Sequence, residues 1–206
     1  ANVLVIGESG TGKELAANAL HARSPRAAGP LVKINCAALP KDLIESELFG
    51  HVKGAFTGAT TDKAGLLEEA HHGSVLLDEI AEMPMDLQAK LLRVLEDRQV
   101  RRLGGARSAP VDFRLICSSN RDPDTAVREG QLRQDLYFRI NTVTVALPPL
   151  HDRSTDIPVL ANAFLERFKV KHGREIEGID PEAYRRLLSY RWPGNVRELE
   201  HAVERA

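Results

Sequence analysis

Residues 3–13 read VLVIGESGTGK, an apolar segment followed at once by a glycine-rich turn and a lysine. Val3–Ile6 is apolar at consecutive positions, which is typical of a strand covered on both faces of a sheet. The stretch from Gly7 to Lys13 fits the P-loop pattern, in which two glycines five positions apart are followed by lysine. A helical pattern then covers residues 13–23, so the loop has the strand before it and the helix after it that phosphate binding requires. The stretch predicts an α/β nucleotide-binding fold.

The composition of this loop suits a bound phosphate. Glycines let backbone N–H groups approach the phosphate, and the N-terminus of the following helix adds partial positive charge. Glu14 stands where a serine or threonine usually contacts magnesium, so the ion would rely on acidic groups, water and the nucleotide. The predicted nucleotide-binding residues are Gly7, Glu8, Ser9, Gly10, Thr11, Gly12, Lys13 and Glu14.

Two simpler interpretations of the loop are available. One is a glycine-rich turn before an ordinary helix, but the strand, the spacing and Lys13 together favour phosphate binding. The other is the nucleophile elbow of a serine hydrolase around Ser9, but Thr11 replaces the glycine that this motif needs.

Strand and helix patterns alternate through the first 150 residues. Further strands are predicted at residues 31–34, 74–78, 111–117 and 142–147, and helices at residues 43–49 and 86–97. This alternation predicts a five-stranded, mostly parallel sheet in a three-layer α/β core. After Pro148 and Pro149 only helical patterns remain, at residues 157–170, 181–190 and 195–206. We therefore expect a core at residues 1–150 and a small helical lid at residues 151–206. The lid ends without a cap or breaker and is expected to be truncated.

Composition excludes several classes of protein. The 206 residues carry 28 Lys and Arg against 29 Asp and Glu, whereas a free-standing nucleic-acid binder usually has a basic excess. Cys36 and Cys117 form no metal-spaced or redox pair. No apolar run is long enough for a bilayer and no signal peptide opens the chain, so we expect a cytoplasmic protein without a membrane partner.

Polar residues follow two of the predicted strands. Asp78 and Glu79 end an apolar strand, where P-loop enzymes hold magnesium and polarise the attacking water. Taken alone, this is a strand running into an acidic loop, but the P-loop favours a metal ligand at Asp78 and a catalytic role for Glu79. Asn120 follows the strand at residues 111–117, where its amide could orient water or serve only as a turn residue.

Arginines recur in two later segments of the chain. Arg133 and Arg139 lie on an amphipathic stretch, where they either stabilise charge on a transferred phosphoryl group or form salt bridges on a solvated face. Arg197 stands in the first turn of the last helix, from which it could reach phosphates. Asn195 is predicted to cap that helix, with Glu198 completing a capping box.

Residues 50–61 form a glycine-rich segment with a lone aromatic, Phe56. An exposed aromatic on a mobile tip is costly unless it meets a partner. The alternative is a tight turn with Phe56 inside the core, and the residues alone leave both open.

With these motifs together, the chain resembles the AAA+ ATPase domain of bacterial enhancer-binding proteins, the activators of sigma-54 RNA polymerase. Residues 7–14 match the Walker A motif of that family, including Glu14, and residues 54–59, GAFTGA, match its signature hexapeptide.

The resemblance implies a role for each motif. Asp78 and Glu79 are similar to the Walker B acids, and Asn35 to the switch asparagine that restrains the glutamate. Asn120 resembles sensor I and Arg197 resembles sensor II. Arg133 and Arg139 resemble arginine fingers that act on the nucleotide of the neighbouring subunit. The residues expected to contact sigma-54 are Gly54, Ala55, Phe56, Thr57, Gly58 and Ala59.

The family further implies a magnesium-dependent ATPase that forms a hexameric ring and remodels the closed polymerase–promoter complex into an open one. The expected cofactors are ATP and Mg²⁺, and promoter or enhancer DNA would be bound mainly by a domain beyond Ala206.

Two other functions compete with this one. Another AAA+ machine, such as a helicase or clamp loader, would show DNA-stimulated ATPase activity without sigma-54 binding. A nucleic-acid-binding module would use the arginines near one turn, Arg98, Arg101, Arg102 and Arg107. Glu96 and Asp97 lie beside that turn, so a solvated hairpin is the competing interpretation.

Overall fold

The computed structural model describes residues 1–206. The strands are β1 (Val3–Ile6), β2 (Leu31–Asn35), β3 (Gly50–His51), β4 (Lys63–Ala64), β5 (Ser74–Asp78), β6 (Gln99–Arg101), β7 (Ser108–Pro110), β8 (Arg114–Ser119) and β9 (Val143–Ala146). The helices are α1 (Lys13–Ala22), α2 (Lys41–Phe49), α3 (Leu66–Glu69), α4 (Met85–Asp97), α5 (Pro123–Arg128), α6 (Gln134–Ile140), α7 (Ile157–His172), α8 (Pro181–Ser189) and α9 (Asn195–Arg205).

Five strands form one sheet in the order β2-β5-β8-β1-β9, which confirms the predicted α/β sheet. The pairs β2–β5, β5–β8 and β1–β8 are parallel, so their carboxyl ends lie at the same edge. In this register Asn35 lies opposite Asp78, and Leu77 lies opposite Cys117. The sheet therefore brings together polar residues that are far apart in the sequence.

The apolar side of α4 faces the core. Leu87, Leu91 and Leu95 are at most 1% exposed and belong to the same cluster as Val75 and Leu115 on the strands. Burial of each leucine side chain contributes about 1.5–3 kcal/mol to folding. This packing holds the sheet edge in place for the residues that follow β5 and β8.

The prediction of a strand at residues 111–117 was wrong in its bounds. The strand β8 begins at Arg114, which pairs with Ser74 at the start of β5. Val111 and Phe113 are buried before the strand begins, so their apolar character reflects core packing rather than sheet pairing. The strand also extends further than predicted and includes Ser118 and Ser119.

Two small antiparallel sheets were not predicted as strands. The strands β3 and β4 pair as one hairpin, and β6 and β7 pair as another. Strands of two or three residues carry too little alternation to be recognised in a sequence.

The chain divides into two compact units. The sheet unit contains Ala1–Ile6 and Glu14–Val145, and the loop–lid unit contains Gly7–Lys13 and Ala146–Ala206. A domain boundary near residue 150 remains a prediction. None of the helices has the length and apolar character needed to cross a bilayer.

The loop–lid unit has its own core. Its buried apolar residues are Leu150, Ile157, Ala161, Trp192 and Leu199. The indole Nε1 of Trp192 donates to the carbonyl of Leu187 at 2.8 Å, so its polar edge is satisfied inside this core. Asp180 caps α8, as its side chain accepts from the N–H of Glu182 at 2.7 Å.

Candidate nucleotide and partner-contact sites

The predicted phosphate-binding loop, residues 7–13, needs its glycines for conformation and for space. Gly10 and Gly12 have φ of +79° and +100°, a backbone region that residues with a side chain rarely adopt. A Cβ at Gly10 would also lie 2.3 Å from the carbonyl oxygen of Gly194. The Nζ of Lys13 donates to the carbonyls of Gly7 and Glu8 at 2.9 and 3.2 Å, so the loop curves around the ammonium group.

The lid supplies hydrogen bonds to this loop. Val196 donates its N–H to the carbonyl of Gly10 at 3.0 Å. Asn195 donates Nδ2 to the carbonyl of Ser9 at 3.0 Å and to the carboxylate of Glu8 at 2.9 Å. These contacts lie within the loop–lid unit.

The prediction that Asn195 caps α9 was wrong. Its side chain makes no cap bond, and its backbone has φ of +54°. The carboxylate of Glu198 instead accepts from the N–H of Gly194 at 2.8 Å, which places the cap one residue earlier. Arg197 lies exposed on the first turn of α9.

Four of the predicted residues come together at the edge of the sheet. Asp78 ends β5, where one carboxylate oxygen accepts from the hydroxyl of Ser118. Asn35 donates its amide to the other oxygen at 3.5 Å. Glu79 follows directly, and its carboxylate accepts from the backbone N–H of Asn120 at 3.1 Å.

Glu79 has an unusual backbone. Its φ of +56° and ψ of +55° are left-handed, which strains a non-glycine residue and is often found at functional sites. Its N–H donates to the Ser118 hydroxyl at 3.3 Å. Ser118 therefore binds both acidic residues, although sequence reasoning missed it. The signal was a polar residue at the end of an otherwise apolar strand.

The carboxylate ligands at this edge of the sheet fit a magnesium ion. Carboxylate oxygens are ligands that Mg²⁺ prefers, and it usually takes one or two carboxylates together with phosphate oxygens and water. Asp78 can supply a carboxylate, and Ser118 and Asn35 orient it. No group of three or more histidine, cysteine or acidic side chains gathers as a metal cage.

The cysteine thiols are kept protonated. Burial, with the nearby charges of Asp78 and Glu79, raises the pKa of Cys36 to about 12. Burial also raises the pKa of Cys117 well above its usual value. Both thiols act as small apolar groups in the core.

The two predicted finger arginines have partners within the sheet unit. Arg133 precedes α6 and forms a two-pronged ion pair with Asp135, at 3.0 and 2.7 Å. This hydrogen-bonded pair raises the pKa of Arg133 and lowers that of Asp135. Arg139 donates to the carbonyl of Leu95 at 3.0 Å.

The hexapeptide at residues 54–59 forms a closed tip beyond the β3–β4 hairpin. Gly54 donates its N–H to the carbonyl of Ala59 at 2.8 Å, and Ala59 donates to the carbonyl of Phe56 at 3.0 Å. Gly54 and Gly58 have φ of +82° and +104°. Phe56 is 46% exposed, and Thr57 is exposed beside it, whereas Ala59 is buried.

The β6–β7 hairpin packs against the base of this tip. Val52 donates its N–H to the carbonyl of Leu103 at 3.0 Å, and Leu103 donates to Gly50 at 2.9 Å. Arg102 forms a two-pronged pair with Glu68, with both distances 2.8 Å, and Arg101 donates to Gly105. These partners agree with a solvated hairpin better than with a free basic patch.

An α/β sheet with a phosphate-binding loop after one strand and two acids after another defines a P-loop nucleotide-binding protein. Residues 1–146 match the Sigma-54 interaction domain family, and residues 151–206 match the AAA+ ATPase lid domain. The chain therefore belongs to the AAA+ domain family of sigma-54-dependent transcriptional activators.

Individual proteins similar to this chain include regulatory proteins, in agreement with the family match. The chain is 55% identical over 206 residues to the regulatory protein AtoC of Escherichia coli. The match covers 100% of this chain and 45% of AtoC. It is 53% identical over 203 residues to the Nif-specific regulatory protein of Herbaspirillum seropedicae, with coverage of 98% and 38%. NtrX from Brucella abortus, solved in complex with ATP, is 41% identical with a TM-score of 0.92, and the match covers 100% of this chain and 44% of NtrX. The chain thus spans less than half the length of these relatives.

Proposed function

We propose that this chain is the motor of a sigma-54-dependent activator, which binds ATP with Mg²⁺, hydrolyses it and uses the energy to open a closed polymerase–promoter complex. The observation that carries the proposal is the GAFTGA tip, closed by its own hydrogen bonds and exposed at Phe56, in a chain that also carries a phosphate-binding loop.

Each group has a defined task in this proposal. The glycines and Lys13 bind the phosphates, and the structure of NtrX in complex with ATP supports a nucleotide as the ligand. Asp78 would hold the Mg²⁺, and the ion would supply charge neutralisation at the phosphates. Glu79 orients and deprotonates the attacking water. Asn35 acts as the switch asparagine that restrains Glu79, and Asn120 acts as sensor I. Arg197 contacts the phosphates from the lid.

Assembly completes the proposed site. Arg133 and Arg139 would act on the nucleotide of the neighbouring subunit in a hexameric ring, since head-to-tail interfaces close into rings. An arginine that stabilises the transferred phosphoryl group contributes about 10³–10⁵ in rate. Enhancer DNA would be bound by a part of the protein outside these residues.

The deciding experiment is open-complex formation by sigma-54 polymerase. Purified, assembled protein with ATP should stimulate it, and Lys13→Ala should abolish both nucleotide binding and stimulation. No stimulation by the wild type would contradict the activator function. If DNA instead stimulates the ATPase and sigma-54 does not bind, another AAA+ machine is the correct assignment.

A further inference from the structure

The lid supplies a donor to each of three successive carbonyls of the phosphate-binding loop. Asn195 Nδ2 donates to Ser9 at 3.0 Å, the N–H of Val196 to Gly10 at 3.0 Å, and Arg153 Nη2 to Thr11 at 2.7 Å. Helix α9 and the turn before α7 thus hold one face of the loop.

These bonds determine where the loop directs its N–H groups. A trans peptide is planar, so its carbonyl and the N–H of the next residue point in opposite directions. Holding the carbonyls of residues 9–11 by donors from the lid therefore directs the N–H groups of residues 10–12 away from the lid, where the N–H of Thr11 also donates to the carbonyl of Glu8 at 3.4 Å. Such N–H groups hold the phosphate in a P-loop.

Asn195 is the best-buried donor in this set. It has no exposed surface, and its Oδ1 accepts from the N–H of Leu150 at 2.7 Å. Its Nδ2 hydrogens go to Ser9 and to the Glu8 carboxylate at 2.9 Å. Because Glu198 provides the helix cap, the amide of Asn195 serves the loop rather than the start of α9.

We infer that Asn195 is a positioning residue for nucleotide binding, which holds the phosphate-binding loop in its binding shape through Glu8 and Ser9. Arg153 completes the hold at Thr11. The inference rests on the proposed function, since the ligand positioned is the phosphate chain of ATP or ADP. The inference adds that contacts from the lid hold the loop in its binding shape in the absence of nucleotide, and so raise its affinity for nucleotide.

The sharpest test is Asn195→Asp with a second change at Glu8. The aspartate keeps the shape and still accepts from Leu150, but it cannot donate and brings a second carboxylate against Glu8. We expect ADP affinity to fall by about ten-fold or more, because a buried hydrogen-bonded pair is replaced by two unpaired acceptors. Adding Glu8→Gln restores a donor between these two side chains, and affinity should recover in part.

The measurements separate positioning from folding. Affinity is read by titration with a fluorescent ADP analogue, and folding by thermal unfolding without nucleotide. Hydrogen exchange over residues 7–13, also without nucleotide, should become faster in Asn195→Asp. Asn162→Asp is the matched control, since Asn162 is exposed on the lid and its Oδ1 only accepts from Tyr184.

The outcomes are distinct. A folded Asn195→Asp protein with wild-type affinity overturns the inference, as does a double variant that binds more weakly than the single one. If Asn195→Asp does not fold, Arg153→Met decides: an affinity loss of several-fold supports the lid's role, and unchanged affinity overturns it. Wild-type protein that binds no ADP overturns the proposed function and this inference together.

Discussion

The ring of Phe56 stands edge-on to the ring of His51, with the centroids 5.0 Å apart. Such a contact contributes about 0.5–1.5 kcal/mol, enough to bias the position of a side chain without burying it. Phe56 remains 46% exposed, while His51 is hydrogen-bonded to Ser46 at the base of the hairpin. The tip therefore holds the aromatic ring outside the core, about half exposed.

Thr57 tests the role of this tip. Thr57→Ala should leave ATPase activity within about two-fold of wild type, because exposed surface substitutions usually change stability by less than about 0.5 kcal/mol. Stimulation of open-complex formation should be lost, since the contact with sigma-54 is expected here. Thr60→Ala is the matched control, an exposed threonine of the same loop outside the hexapeptide. Full stimulation by Thr57→Ala would remove this residue from the contact.

Glu79→Gln separates binding from turnover. The amide keeps the shape of the side chain but cannot accept the proton of the attacking water, and loss of a general base typically costs about 10²–10⁴ in rate. ATP affinity should remain near wild type, and steady-state phosphate release should fall by that factor. Glu96→Gln, an exposed change on α4, should behave as wild type. Normal hydrolysis by Glu79→Gln would assign the water to another residue.

The sequence predicted those parts of the fold in which neighbouring residues carry the signal. The strands at Val3–Ile6 and Ser74–Asp78 were predicted with their correct bounds, since continuous apolar runs bounded by polar residues are typical of buried parallel strands. The cap of α8 at Asp180 depends on equally local features, because its side chain accepts from Glu182 and proline follows it directly.

The remaining features depend on distant contacts. Asn195 looked like a helix cap, but its partner Glu8 lies 187 positions away in the chain. The position of Phe56 depends on His51, and the β6–β7 hairpin supports the loop that carries both. Ser118 became meaningful only when the register of β5 and β8 brought it to Asp78.

Mixing two inactive variants tests whether Arg133 acts in trans. Arg133→Ala lacks the finger but keeps Glu79, whereas Glu79→Gln keeps the finger. Each alone should hydrolyse ATP at least about 10²-fold more slowly than wild type. Mixed rings should regain part of the activity, as a Glu79→Gln subunit can offer its arginine to an intact catalytic neighbour.

The measurement for this mixture is phosphate release against the ratio of the two proteins at constant total concentration. Arg128→Ala is the control for loss of an exposed arginine, since Arg128 bonds only to Thr125 on its own helix. If the mixture is as inactive as each variant alone, Arg133 does not act on the nucleotide of the neighbouring subunit.

The ion pair of Glu68 with Arg102, beside the β6–β7 hairpin, makes the stability of the fold depend on pH. Its hydrogen bonds with Arg102 hold the pKa of this carboxyl below the ordinary value of 4.5, and the two side chains are 15% and 33% exposed. Since the folded state has the lower pKa, the ionised pair stabilises the fold above about pH 4.5, and this stability is lost as the pH falls through the lower folded value. Glu68→Gln should therefore lower the free energy of unfolding by about 1 kcal/mol at pH 7, with a difference that shrinks as the pH falls below about 4.5. Urea unfolding across this pH range measures it, with the exposed neighbour Glu69→Gln as control, and a difference independent of pH would show that the ion pair is not its cause.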